Sequence, residues 1–214
     1  MKRNDWLIAG LLAVLFLFAI GGVMVFWLQS QAYANLPEDV VSGTTTQNNA
    51  GAGLTTKDAF LASNELATQW QADAKIISAS ANIDQFENLE DIYNGQANWT
   101  VVYYSPIAAA VAVYTVTENG ASFLSSKSFN ETVSAVDIDK VVLDSNQAMT
   151  IAVSNGAARL LEVGSDRVAS LKLEQSIETG RPEWRIFIQN FDNGSFMNFR
   201  IDSETGQILE QSNS

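Results

Sequence analysis

Residues 180–189 read Gly-Arg-Pro-Glu-Trp-Arg-Ile-Phe-Ile-Gln. Trp184, Ile186 and Ile188 fall on one side of an extended chain, and Arg185, Phe187 and Gln189 on the other. This is the alternation of a half-buried strand. Residues 95–104, Gly-Gln-Ala-Asn-Trp-Thr-Val-Val-Tyr-Tyr, repeat the spacing G-x-x-x-W. After Trp99 the run is apolar on both sides, which predicts a strand covered on both faces.

Working outward from the tryptophans, the same order of signals occurs twice. Downstream, strands are predicted at Ala110–Thr117 and Phe196–Asp202. Each ends in a turn, Glu118-Asn119-Gly120 or Glu204-Thr205-Gly206. The tryptophan-to-glycine separation is 21 residues in one copy and 22 in the other. Glycine suits both turns because it takes positive φ without a Cβ clash.

Upstream, strands are predicted over Lys75–Ile83 and residues 168–173, and before each lies a helix signal. Thr55-Thr56-Lys57-Asp58 has the capping-box pattern. Ala59, Ser63, Leu66, Ala67, Trp70 and Ala74 then share a helical face. In the second copy Asp144 caps, with Gln147 three residues on. Ala148, Ile151 and Ala152 begin the apolar face. Gly156 weakens this helix by about 1 kcal/mol relative to alanine, and Gly164 is the expected stop. Each copy therefore reads helix, strand, strand, strand, with a short fourth strand after the glycine.

The fold class expected is α+β, with a helix packed on an antiparallel sheet in each of two tandem units, 55–128 and 129–214. Ahead of them lie a short tail (1–5), an apolar run (6–28) and a linker (29–54). The apolar run holds 23 residues and no charge. At about 1.5 Å per helical residue it spans a hydrocarbon core of about 30 Å. Trp6 and Trp27 sit near its ends, and Lys2 and Arg3 precede it. A retained single-pass anchor with a cytoplasmic N-terminus and the bulk outside is the expectation. The alternative is a signal peptide cleaved after Ala34, in Ala32-Tyr33-Ala34, but the apolar run exceeds a signal h-region. The linker is rich in Thr, Asn, Gly, Ala and Gln, the composition of a flexible tether.

Charge narrows the function classes. The chain has 24 acidic and 12 basic side chains. Beyond the apolar run the net charge is −13, with 10 basic against 23 acidic groups. Such a surface repels phosphate backbones, so no nucleic-acid partner is expected. There is no cysteine and no histidine. Disulfides and thiolate sites are excluded, and the commonest general base and metal ligand are missing. No catalytic residue, cofactor or metal is expected, and the chain does not read as an enzyme. Asp202-Ser203-Glu204-Thr205-Gly206 lacks calcium-loop spacing and reads as a hairpin turn. Asp137 and Asp139 read as a solvated turn. Ser126 and Lys127 are adjacent strand residues that point to opposite faces. Trp99 and Trp184 read as core.

One cluster suits a partner surface: Asp84, Glu87, Glu90 and Asp91, interleaved with Phe86, Leu89, Ile92 and Tyr93. It reads as a short amphipathic helix whose carboxylates attract a basic protein.

The second copy resembles the PepSY family. The features are Asp144-Ser145-Asn146-Gln147-Ala148 at the helix start, Pro182-Glu183-Trp184-Arg185-Ile186 opening a strand, and Ile201-Asp202-Ser203-Glu204-Thr205-Gly206-Gln207-Ile208-Leu209 closing the unit. The first copy matches through its helix, Trp99 and Gly120. The resemblance implies an extracytoplasmic α+β unit that binds a protein, inhibits a protease or regulates activity near the envelope. The expectation is therefore a membrane-anchored binding or regulatory module with a protein partner and with lipid around residues 6–28. The alternative is a structural spacer or assembly component of an envelope complex.

Overall fold

Thr55 and Asp144 each start a helix, and for the same reason. In this computed structural model, which describes residues 53–83, 89–131, 133–162 and 166–214, both side chains close a capping box. Thr55 bonds the Asp58 N–H and Asp58 reaches back; Asp144 and Gln147 do likewise. Each box satisfies N–H groups that the first helical turn leaves without partners. Helix α1 spans Thr56–Trp70 and buries Ala59, Phe60, Ser63 and Ala67, with Leu66 and Trp70 packed at the margin. It ends before Ala74, which lies in the turn leading to the first strand. A short α2 covers Leu89–Tyr93.

The second main helix is broken. Helix α3 (Ser145–Ala152) and α4 (Ala158–Glu162) are separated at Asn155 and Gly156, and Gly156 takes φ +108°. The glycine expected to weaken one helix instead divides it in two, since no other residue adopts that φ without strain. Residues 163–165, with the expected stop at Gly164, lie outside the described residues.

Among the described residues eight strands occur, in order: β1 (Lys75–Ile83), β2 (Trp99–Ser105), β3 (Ala110–Thr117), β4 (Gly120–Ser128), β5 (Arg167–Gln175), β6 (Pro182–Asn190), β7 (Phe196–Asp202) and β8 (Ile208–Asn213). All join one antiparallel sheet in the spatial order β4-β3-β2-β1-β5-β6-β7-β8. The order is a palindrome of the two sequence copies. The seam is β1 against β5, in register from Ser78–Glu174 to Ile83–Ala169. Hydrogen bonding thus runs unbroken from one copy into the other, and β4 and β8 are the edges.

The helices and the hydrophobic core lie on one face. Ala79, Ala81, Ile83, Val101, Tyr103, Tyr114, Leu171, Leu173, Ile186 and Phe199 build that side of the sheet. At its centre Trp99 and Trp184 meet edge to face, 6.2 Å apart at 66°. Such a contact adds about 1 kcal/mol beyond the area the rings bury. Each indole N–H has a matching partner: Trp99 donates to the Leu54 carbonyl at 2.7 Å and Trp184 to the Leu143 carbonyl at 3.1 Å. Both acceptors stand one residue before a helix cap.

The helix N-termini also meet across the seam. The Thr56 N–H donates to Ser145 Oγ and the Lys57 N–H to Asp144 Oδ1, each at 3.2 Å. Gly95, at φ +58°, lies against this junction, where a Cβ would sit 2.5 Å from the Ser145 carbonyl oxygen.

The opposite face corrects one expectation. The β2 strand is not covered on both sides: Trp99, Val101 and Tyr103 are buried, while Thr100, Val102 and Tyr104 remain half-buried on the helix-free face. The second apolar stripe comes from residues of an open surface. Among the described residues no helix is long and apolar enough to cross a membrane. The expected span at 6–28, the tail 1–5 and nearly all of the linker 29–54 lie outside the described residues.

Candidate functional site

The helix-free face is built by cross-strand register. One row runs Ser122, Thr115, Thr100 and Ser80 across β4 to β1, then Lys172, Arg185 and Arg200 across β5 to β7, and reaches Glu210 on β8. Strands lie about 4.8 Å apart, so the first half of the face presents hydroxyls and the second half charges. Three cations in line would repel one another. Glu174 relieves this by pairing with both Lys172 and Arg185.

Arg200 is the hub of the second half. Its guanidinium bonds Glu178 at 2.9 Å, Glu183 at 3.0 Å and Glu210 at 3.2 Å. Donating to Glu178, and to Glu183 and Glu210, raises the guanidinium's pKa further. Glu183 is 1% exposed. Burial works to raise its pKa, but bonds from Thr179, Arg200 and Ser176 outweigh it, and the carboxyl stays below the usual glutamate range. With its donors occupied by three carboxylates, Arg200 ties β6, β7 and β8 together; the arrangement is that of a brace.

The closing hairpin is a second polar knot. Asp202 Oδ1 accepts from the N–H groups of Glu204 and Thr205, both at 2.9 Å, and Oδ2 from Arg181 at 3.2 Å. Burial pushes its pKa up, but these bonds prevail and lower it. The oxygens that would serve a calcium loop thus close a turn, with Gly206 at φ +76°. Thr117 does the same in the first copy, accepting from the Asn119 N–H at 3.2 Å. Ser203 then joins hairpin to connector: its carbonyl accepts from Val142 and Leu143, and its hydroxyl donates to the Pro182 carbonyl.

Of the acidic cluster, Asp84 and Glu87 lie outside the described residues. Glu90 and Asp91 stand on α2, with Ile92 buried beneath them and Leu89 packed against the core. Asp91 lines a shallow polar hollow of about 340 Å³ together with Gly53, Gln96, Asn98, Glu118 and Asn119. The hairpin turn of the first copy thus adds a carboxylate that the sequence reading placed elsewhere. Asp137 pairs with Lys140 at 2.8 Å, in a 3₁₀ turn over Ile138–Lys140. Ser126 and Lys127 are exposed on edge strand β4. Among the described residues no group of three or more metal-ligating side chains gathers.

Sequence reasoning missed the Arg200 brace and the open face. The signal was present in residues 183–189, where Glu183, Arg185, Phe187 and Gln189 alternate with the buried Trp184, Ile186 and Ile188. What it could not show was which strand faces Arg185.

Three comparisons bear on this architecture. Residues 142–212 match the PepSY family, described as the peptidase propeptide and YPEB domain. No curated protein matches the chain. A crystal structure of a candidate lipoprotein from Clostridium difficile 630 is similar in fold, with a TM-score of 0.51 and 14% identity, covering 80% of this chain and 100% of that one. At that identity the likeness concerns the fold alone. The matched segment begins just before the Asp144 cap and holds α3, α4, β5 to β7 and nearly all of β8, so residues 142–212 of this chain are a PepSY domain.

Proposed function

We propose that this chain is an extracytoplasmic binding or regulatory module, held at a membrane by residues 6–28, that engages a protein of the cell envelope. The carrying observation is the sheet itself: its eight strands are covered by helices on one face and present hydroxyls, cations and half-buried aromatic rings on the other. A PepSY match over residues 142–212 supports the reading, since that family's description names peptidase propeptides. The first half, with its own cap, tryptophan and turn glycine, is then a divergent second unit of the same kind, and the pair acts as one surface. A peptidase is the partner class this reading favours. The candidate lipoprotein of similar fold agrees with an envelope setting.

The test is crosslinking capture from native membranes with the full-length chain, against a chain reduced to its first 54 residues. A peptidase or other envelope enzyme enriched by the full chain, with activity altered when the chain is added, supports the proposal. Equal capture by both chains refutes it.

A further inference from the structure

The proposed module requires a contact surface, and one end of the sheet stands out. In a strongly acidic protein, three isoleucines project from three separate loops there. Ile107 in the β2–β3 turn is 84% exposed, Ile177 in the β5–β6 loop 94%, and Ile138 in the 3₁₀ turn 42%. Single exposed apolar residues are ordinary; what sets these three apart is that ordered loops hold them at the same end of the sheet.

Hydrogen bonds fix these loops to the same end. β1 begins at Lys75 opposite Tyr104, three residues before Ile107. Val136 donates to the Ile76 carbonyl at 2.8 Å, and Asp137 to Gln175 Oε1 at 3.1 Å. The 138–140 turn therefore lies over the start of β1 and the end of β5, between the other two loops. The loops are also held in shape. The Ile107 N–H donates to Asp73 Oδ2 at 2.8 Å, and Gln175 Nε2 to the Gly180 carbonyl at 2.6 Å. A partner thus meets tips that are already ordered, which lowers the entropy lost on binding.

The charge around this end chooses the occupant. The surrounding charge is acidic on balance: Asp139 and Glu204 are exposed, Glu178 shares the single cation Arg200 with Glu183 and Glu210, Lys140 and Arg181 are engaged by Asp137 and Asp202, and the exposed Lys75 lies near Asp73. Carboxylates repel anionic lipid heads, and they repel a second copy of the same surface. They complement a basic rim.

We infer that the end formed by Ile107, Ile138 and Ile177 docks a protein that presents apolar pockets bordered by lysine or arginine. This inference rests on the binding reading above.

The experiment places p-benzoyl-phenylalanine singly at 107, 138 and 177 of the full chain in its native membrane. Controls carry it at Asn119 and Asn193, in turns at the opposite end, and at Phe187 on the open face. The expected result is one protein adduct of the same mass from all three isoleucine positions. Its crosslinked peptide carries lysine or arginine, and I107D/I177D, with probe at 138, lowers the yield about tenfold while leaving the thermal melt unchanged. An adduct with lipid or with a second copy overturns the inference, as does an adduct that lacks basic residues. Adducts from Phe187, Asn119 or Asn193 alone overturn it too but leave the binding module standing. No adduct at any position contradicts both.

Discussion

Alanine at Gly95 and alanine at Gly180 are the same chemical change at equivalent points of the two G-x-x-x-W repeats, yet the structure assigns them different costs. Both glycines have positive φ, +58° and +65°. An alanine there is strained by about 1–2 kcal/mol. At Gly180 nothing lies within 4 Å of the added Cβ, so strain is the whole cost. At Gly95 the Cβ would lie 2.5 Å from the Ser145 carbonyl oxygen, 2.6 Å from its carbon and 2.9 Å from the Asn146 nitrogen. These are backbone atoms in the first turn of α3, pinned by the Asp144 capping box and by the bond from Thr56, so they cannot swing aside. Overpacking of this kind adds about 1–3 kcal/mol. Gly95→Ala should therefore lose about 2–5 kcal/mol and Gly180→Ala about 1–2. Urea unfolding followed by tryptophan fluorescence reads both as midpoint shifts at constant slope. Equal midpoints would refute the close approach of the β1–β2 connection to α3, and with it the helix junction across the seam.

Other consequences are checkable in the same way. Arg200→Met should leave the Glu183 carboxylate buried without its cation and lower the urea midpoint; adding Glu183→Gln should recover most of the loss. Because the folded pKa of Glu183 is depressed, its stabilisation is present above its unfolded pKa and is lost as pH falls through the folded value. A urea midpoint series from pH 6 to 3 should fall less steeply in the double variant than in the parent. Burial, with Tyr103 nearby, pushes Tyr114 up to about 12. A group that holds its proton more tightly when folded stabilises below its unfolded pKa, so stability should decline from about pH 10 toward pH 12. Tyr114→Phe should flatten that limb in a melting series. If the acidic cluster contacts the partner, reversing Glu87, Glu90 and Asp91 to lysine should weaken capture, and added salt should weaken it in the parent; affinity indifferent to both removes the cluster from the binding surface.

Much of the local architecture was legible because local rules produce it. Thr55 and Asp144 cap helices through contacts three residues away, and β3 and β7 have the predicted bounds because alternation marks them. The glycine turns followed from positive φ. What was not legible depends on partners distant in sequence. Nothing in residues 75–83 and 167–175 says that these strands pair with each other. Hence the seam, the meeting of Trp99 with Trp184 and the row through Lys172, Arg185 and Arg200 could not be read. Val102 and Tyr104 misled because an apolar residue on an open face looks like one in a core. Gly156 was noticed, but its effect depended on whether the surrounding helix could continue without it. The acidic cluster was visible as composition; that Asp91 shares a hollow with Glu118 needed the β3–β4 turn folded beside α2.

Every surface proposed for binding exists only if β1 and β5 pair as one sheet. The chain has no cysteine, so the seam is directly testable by engineered pairs in the full chain. Ser80 and Lys172 stand opposite each other, as do Ser78 and Glu174. Directly opposed strand residues lie within disulfide reach, whereas residues two positions out of register do not. After mild oxidation, S80C/K172C and S78C/E174C should each form a disulfide within one chain, seen as a loss of two free thiols and a faster-migrating band, and S80C/E174C should not. A bond in the offset pair, or none in either matched pair, would contradict the continuous eight-stranded sheet.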